Sequence, residues 1–342
     1  MLKLRHKITR LKWAIDTYNG DERAWPDCYH TVHGDEKWFF LMRDGVPCRV
    51  FPTWEENDDG GMEHRITLAA AARVYHKSRC PKVMFLTAIA RPRPDHDFDG
   101  KVGIWNFTKV RKAKRSNRNT GTVAGETDIV ETVTVDADEY RSVMLKKGGV
   151  FDAIHTKMWW FKRDSGEPEA GHPIIYQHDG AKPHTAKKNE KLWASHGAQK
   201  GFRIVVRTQP AQSPDLNVND LAFFASLQSD TELVAKENVT DLIHAVESCW
   251  QAYPAERMEN VWSCPFGSFK GIVDTSGDNS YSHHSGSRTA HRRGTGDRQD
   301  RAFGVKRIKE ARLSLEEMKK MSDVLQDDAL ADAPGDTSSD EN

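Results

Sequence analysis

Between Gln209 and Phe224 the chain reads QPAQSPDLNVNDLAFF. Pro210, Pro214 and the acid and amide residues that follow them mark a turn, and the apolar run after the turn opens a helix. Asp220 stands at that junction. Immediately upstream, GFRIVVRTQP (201–210) is a β-branched run closed by Gly and Pro, which predicts a strand. The stretch therefore reads as strand, turn and helix, with Ser213-Pro214 as N-cap and first-turn proline and a carboxylate in the first helical turns.

Further upstream, HPIIYQHDG (172–180) predicts a buried strand ending at Asp179, and Thr185 to His196 a helix with its charges outward. Asp136 to Phe151 predicts another helix. Before these come four short β-type runs separated by Gly, Pro and Asp clusters: YHTVHGDEKWFFLM (29–42), PCRVFP (47–52), KVMFLTAIA (82–90) and KVGIWNF (101–107). Strands first, then alternating helix and strand, suit an α/β fold with a mixed sheet, the early antiparallel strands lying beside later parallel ones.

The ends differ from this middle. Leu4, Ile8, Leu11, Ile15 and Tyr18 fall at helical spacing among lysines and arginines, so residues 2–19 predict one amphipathic basic helix. Asn238 to Tyr253 predicts a further helix. Residues 276–301 are rich in Ser, Gly, His and Arg and predict a mobile linker. Residues 305–326 predict an isolated helix ahead of a disordered, acidic tail.

Lys and Arg together number 50, as do Asp and Glu, in 342 residues, so any nucleic-acid surface must come from local clustering. Lys109 to Arg118 (KVRKAKRSNR) holds six basic residues and no acid, whereas Asp323 to Glu341 has no Lys or Arg. The basic run reads equally as a phosphate-contacting or nuclear-import segment and as a solvated loop. Five cysteines without a CxxC pair read as ordinary thiols. No apolar run approaches the length of a membrane span. Trp105, Trp159, Trp160 and Phe161 read as core rather than as base-stacking groups.

Three acids stand at the ends of predicted elements: Asp35 inside the first strand, Asp179 closing the later strand and Asp220 after the turn. A carboxylate among Val and Phe must find a cation or a proton. Three of them converging over a sheet would hold two Mg²⁺ or Mn²⁺ ions about 4 Å apart, hard ions suited to oxygen ligands. Taken singly, each also reads as a strand-end or cap aspartate. Strand alternation points Glu36 to the opposite face, where it reads as structural.

VHGDEKWFF, KSRCPKVMFLTAIARPR, FDGKVGIWNF, YQHDGAKPHTA and QSPDLNVNDLAFFASLQ, in this order, resemble the catalytic domain of mariner-like transposases, from about residue 8 to about residue 284. The likeness is to the plant and oomycete-type branch, whose third acid is aspartate. It implies a ribonuclease H-like fold: a mixed five-stranded sheet flanked by helices, plus a C-terminal helix and a disordered tail. It implies Asp35, Asp179 and Asp220 as catalytic metal ligands for a two-metal Mg²⁺ or Mn²⁺ site, with Asp215 as turn and cap residue. It implies His184 either as a substrate-orienting group or as a helix cap, and Arg111, Lys112, Lys114, Arg115 and Arg118 as DNA-backbone contacts.

The corresponding organisation is a basic linker helix (1–27), a catalytic domain (28–235), a helical extension (236–284) and a mostly disordered acidic tail with one helix (285–342). The second block departs from many relatives in reading His178-Asp179-Gly180, and one basic helix stands where the family carries helix-turn-helix reader modules. The resemblance implies DNA phosphodiester hydrolysis and strand transfer in the nucleus, with DNA as partner, a homodimer as its working form, and neither a membrane nor a small-molecule substrate. The alternative is a domesticated or relic nucleic-acid-binding protein that no longer transposes. A nuclease acting on RNA in hybrids shares only the fold.

Overall fold

In a computed structural model, the structure describes residues 2–18, 27–41, 52–56, 62–66, 81–116, 123–125, 128–181, 184, 187–236, 238–281 and 305–331. In chain order the elements are α1 (Leu4–Thr17), β1 (Thr31–Phe40), β2 (Pro52–Glu56), β3 (Met62–Ile66), β4 (Lys82–Ala90), β5 (Lys101–Asn106), β6 (Thr108–Lys112) and β7 (Asp128–Thr132). They continue with α2 (Ala137–Leu145), α3 (Val150–Lys157), β8 (Pro173–His178), α4 (Lys187–Gln199), β9 (Arg203–Thr208), α5 (Phe224–Glu232), α6 (Val239–Ala252), α7 (Ala255–Asp274) and α8 (Val305–Ala331).

Five strands form the central sheet in the order β5-β4-β1-β8-β9. β5, β4 and β1 run antiparallel, while β8 and β9 run parallel to β1, which is the expected mixed sheet. Alternation along β4 divides the interior into two layers. Leu86, Ala88 and Ala90 pack with Tyr140, Phe151 and Trp193 of α2, α3 and α4. Val83, Phe85 and Ile89 pack on the other face with Phe224, Val246 and Trp262 of α5, α6 and α7. Trp160 and Phe161 are core, as read from sequence, whereas Trp159 is exposed. No described helix is long and apolar enough to cross a membrane.

Several expectations need correction. Residues 136–151 form two helices, because the chain turns at Gly148, whose φ of +71° suits glycine. Asp136 caps the first of them, accepting from the Asp138 and Glu139 N–H groups at 3.0 and 2.8 Å. The basic loop begins as a strand, since Thr108–Lys112 pairs antiparallel with Asp128–Thr132. Of PCRVFP only Pro52 is described, and there it opens β2. The 20-residue helix α7 lies within the expected helical extension (236–284), although its own span was not delimited, since Pro265 and two glycines interrupt its apolar face.

The helix at 305–331 is not isolated. Ile308, Ala311 and Leu315 pack on Leu11, Ala14 and Ile15 of α1 and on Phe266, Phe269 and Ile272 of α7, making a third core. The supposed linker is ordered at its start, where Gly277 and Tyr281 meet the N-terminal helix.

Asp215, read as a turn and cap residue, binds that helix instead. Arg10, fully buried, forks onto both Asp215 oxygens at 2.7 and 2.6 Å, and its Nε donates to the Gly277 carbonyl at 3.0 Å. The Tyr281 hydroxyl also donates to Asp215. Burial pushes the Asp215 carboxyl up, but the bonds from Arg10 and Tyr281 outweigh it and hold the group below the usual range. Ser213 makes no cap: its hydroxyl bonds back to the Ala211 carbonyl at 3.3 Å.

Removing one member of a buried ion pair leaves the other unsolvated. Arg10→Met should therefore lower unfolding free energy by about 3–5 kcal/mol. Lys12→Met, which breaks the exposed Lys12–Asp16 pair, should change it by less than about 1 kcal/mol. Urea midpoints of the two variants check the contrast.

Candidate active site

β1 and β8 are parallel neighbours, in register through His33 opposite Gln177. Asp35 and Asp179 each stand two residues beyond that pair, so one edge of the sheet carries both acids, Asp179 just past the end of its strand. Gly34 makes room beside Asp35: a Cβ there would collide with the Tyr176 ring and hydroxyl from β8.

Asp220 is brought to the same place by the turn after β9. The Asn217 side chain donates to the Gly34 carbonyl at 3.1 Å, and Asn219 donates to the His33 carbonyl at 3.0 Å. The Asn219 oxygen accepts from Thr87 of β4 at 2.9 Å, and the Val218 N–H donates to His33 Nδ1 at 3.0 Å. Gln177 reaches the Leu216 carbonyl at 2.7 Å. Both asparagines are completely buried, and with every amide engaged they fasten the turn to the middle of the sheet. Asp220 follows at once, in a widened π-helical turn (Asn219–Phe223) that leads into α5.

The three carboxylates converge. Asp35 is buried, Asp179 is half-exposed and Asp220 lies on the solvent side. Burial, the facing Asp220 and the adjacent Glu36 push Asp35 well above the carboxylate range. Burial also raises Asp220, partly offset by the neighbouring Asp35 carboxyl and by Lys37. Burial raises Asp179 as well, but bonds from His184 and the Ala181 N–H outweigh it and hold Asp179 low.

Each of the first two acids has one oxygen tied down. The Glu36 N–H donates to Asp35 Oδ1 at 2.8 Å, while Asp35 Oδ2 is buried with no donor among the described residues. Asp179 Oδ1 accepts both the Ala181 N–H at 3.0 Å and His184 Nδ1 at 2.7 Å. An oxygen-only set with an orphaned buried oxygen fits Mg²⁺ or Mn²⁺. His178, Asp179 and His184 also place ligand atoms within 4.8 Å of one another, but both nitrogens of His184 already face carboxylates.

His184 caps no helix through its ring. It is buried between Asp179 and Glu36, whose Oε1 lies 3.2 Å from Nε2, and its ring packs 4.1 Å from that of Tyr140. Burial disfavours its charge, yet the bond to Asp179 and the nearby Glu36 carboxylate push its pKa up to about 10. Glu36 does point to the opposite face from Asp35, as alternation requires, but it returns to the site through this imidazole. The sequence reading missed Glu36, Asn217 and Asn219. The density of amides in LNVND was the available signal for the asparagines.

The basic run behaves differently. Arg111 pairs with Glu131 of the facing strand at 2.6 Å and Lys109 with Glu139 at 3.0 Å. Lys112, Lys114 and Arg115 are exposed, and Arg118 lies outside the described residues. The hairpin that carries the run forms a sheet of its own.

His33, fully buried, is driven down to about 3 by burial, with Arg207 adding to the fall. Its folded pKa lies below the unfolded value, so its neutral form favours the folded state above pH 6.5, and that advantage is lost as pH falls from there toward 3. Between pH 6.5 and pH 5 the loss amounts to about 2 kcal/mol. Unfolding at pH 7 and pH 5 should show this acid sensitivity in the wild type and a shallower dependence in His33→Asn.

No protein-family model and no curated protein matches the chain. Among solved structures it is similar to a pre-cleavage Mos1 transpososome, at 16% identity and a TM-score of 0.51 over 82% of this chain and 65% of that one. It is also similar to the Mos1 transposase paired-end complex with left transposon end, at 17% identity and a TM-score of 0.50 over 81% and 64%. The mariner Mos1 paired end complex with Mg matches at 16% identity, with the same TM-score and coverage as the latter. The chain thus spans just under two thirds of those chains. The likeness is one of fold: the chain has a ribonuclease H-like fold, its mixed five-stranded sheet flanked by helices.

Proposed function

We propose that the chain is a transposase-type catalytic core that cleaves and joins DNA phosphodiesters with divalent metal. The observation that carries the reading is the convergence of Asp35, Asp179 and Asp220 at one sheet edge, with a buried Asp35 oxygen that no donor among the described residues reaches. Asp35 and Asp179 would each present one free oxygen and Asp220 would close the set from the solvent side. Mg²⁺ or Mn²⁺ held there supplies a stronger nucleophile from water or a 3′-hydroxyl and steadies the leaving oxygen.

The chain's own residues do the rest. Asn217 and Asn219 hold the third acid against the first, and His184 turns Asp179 toward the cleft. The rise from buried Asp35 to exposed Asp220 gives a phosphodiester an open approach. Lys112, Lys114 and Arg115 supply exposed positive charge for the DNA backbone, with Arg111 released from Glu131 on contact. Such substrates place the protein in the nucleus, and pairing two DNA ends calls for a homodimer.

Incubation with supercoiled plasmid and Mn²⁺ tests the reading. The wild type should yield relaxed and linear products, and Asp35→Asn, Asp179→Asn and Asp220→Asn should fall to background. Equal behaviour of all four, with DNA still retained on a gel, would instead favour a nucleic-acid-binding relic.

A further inference from the structure

A second group of metal-ligating side chains comes together away from the three acids. His96 lies in the short turn after β4 (Pro94–His96), and Glu167 and Glu169 lie in the segment that leads into β8. One ligand atom from each, an imidazole nitrogen and two carboxylate oxygens, all fall within 4.8 Å of one another. β4 runs antiparallel to β1 and β8 parallel to it, so both segments meet where β8 begins, whereas Asp179 lies beyond its other end.

His96 sets this group apart from a patch of surface acids. Its side chain is 9% exposed, and its ring lies flat on Trp160, 4.4 Å between centroids and 4° between planes, with Trp159 edge-on at 5.8 Å. Among the described residues neither ring nitrogen has a hydrogen bond, for the Asp95 carboxylate stands 3.7 Å from Nε2, out of bonding reach. An imidazole so far buried ordinarily has a partner. Both glutamates have acceptor capacity to spare. The Glu167 carboxylate makes no hydrogen bond or ion pair among the described residues, its N–H alone being bonded, to Ser165 Oγ at 3.3 Å. Glu169 gives one oxygen to Arg93 at 2.9 Å. Arg93 also holds Asp95 at 2.6 Å, so a single guanidinium faces three carboxylates.

We propose that His96, Glu167 and Glu169 form a zinc site, separate from the acid cleft, that staples the β4–β5 connection to the segment entering β8. One imidazole and two carboxylates are a donor set that Zn²⁺ takes with water as fourth ligand, whereas the oxygen-only set at Asp35, Asp179 and Asp220 suits Mg²⁺ or Mn²⁺. Tetrahedral zinc with ligands at about 2.0–2.2 Å brings their atoms to about 3.3 Å apart, so closing the set takes roughly an ångström of side-chain movement. Trp160 orients the imidazole, and Arg93 orients Glu169 from behind.

The test titrates Zn²⁺ alone into the metal-free full chain against a chromophoric chelator, with excess Mg²⁺ present. The wild type should hold one Zn²⁺ that Asp179→Asn and Asp220→Asn both retain. His96→Asn and Glu167→Gln should weaken its binding at least as far as the ~100-fold that changes one shell out can reach. X-ray absorption of the zinc-loaded wild type should show one imidazole among oxygen ligands at about 2.0–2.2 Å. Zn²⁺ should also raise the melting midpoint of the wild type and not that of Glu167→Gln. Circular dichroism establishes that each variant is folded, and the isosteric Glu167→Gln carries the test if His96→Asn is not. A wild type that holds no Zn²⁺, unchanged affinity in the folded His96 and Glu167 variants, or loss of the ion in Asp179→Asn or Asp220→Asn overturns the site. A wild type that binds this zinc but nicks no DNA overturns the catalytic reading alone.

Discussion

The clamp between the Asn217–Asn219 turn and the backbone of β1 is the contact on which the site depends. Asp35 and Asp220 are 185 residues apart in sequence, and among the described residues the side-chain bonds that hold their two segments together come from the buried amides on the Gly34 and His33 carbonyls and from His33 on the Val218 N–H. Unpaired, each such group would cost about 1–3 kcal/mol. Paired, they set the third acid against the first. Arg10 extends the arrangement outward, since its ion pair with Asp215 ties the same turn to the N-terminal helix and, through Tyr281, to the segment after α7.

Charge in the cleft follows from this placement. Three carboxylates brought together disfavour one another, and the protein answers in two ways. On the β8 side the hydrogen bond from His184 helps hold Asp179 below the usual carboxylate range. On the β1 side no cation among the described residues reaches Asp35, and the acid is pushed toward its protonated form by burial and by Asp220. Under the proposed reading, a divalent cation would supply the interaction that lowers the Asp35 carboxyl.

Much of this was legible in the sequence because the governing patterns are local. Short β-type runs bounded by Gly, Pro and Asp marked β1, β4, β5, β8 and β9, and the same punctuation with the amides of the turn placed Asp179 and Asp220 at element ends. What could not be read depends on contacts distant in sequence. Asp215 sits where a cap residue would, and only the approach of α1 makes it an ion-pair partner of Arg10. Glu36 faces away from Asp35, so alternation set it aside, and only a histidine 148 residues later returns it to the site. Helix α7 hid behind Pro265, and α8 looked isolated because the face it buries is matched by α1, some 300 residues before it.

Anomalous diffraction from crystals of the full chain soaked in Mn²⁺ tests the central claim most directly. The account predicts manganese peaks in contact with Asp35 Oδ2 and the free oxygen of Asp179, and within reach of Asp220, with His184 still bridging Asp179 and Glu36. Saturating Mn²⁺ with no anomalous density among these three carboxylates, or density only on the imidazoles of His178 and His184, would contradict it.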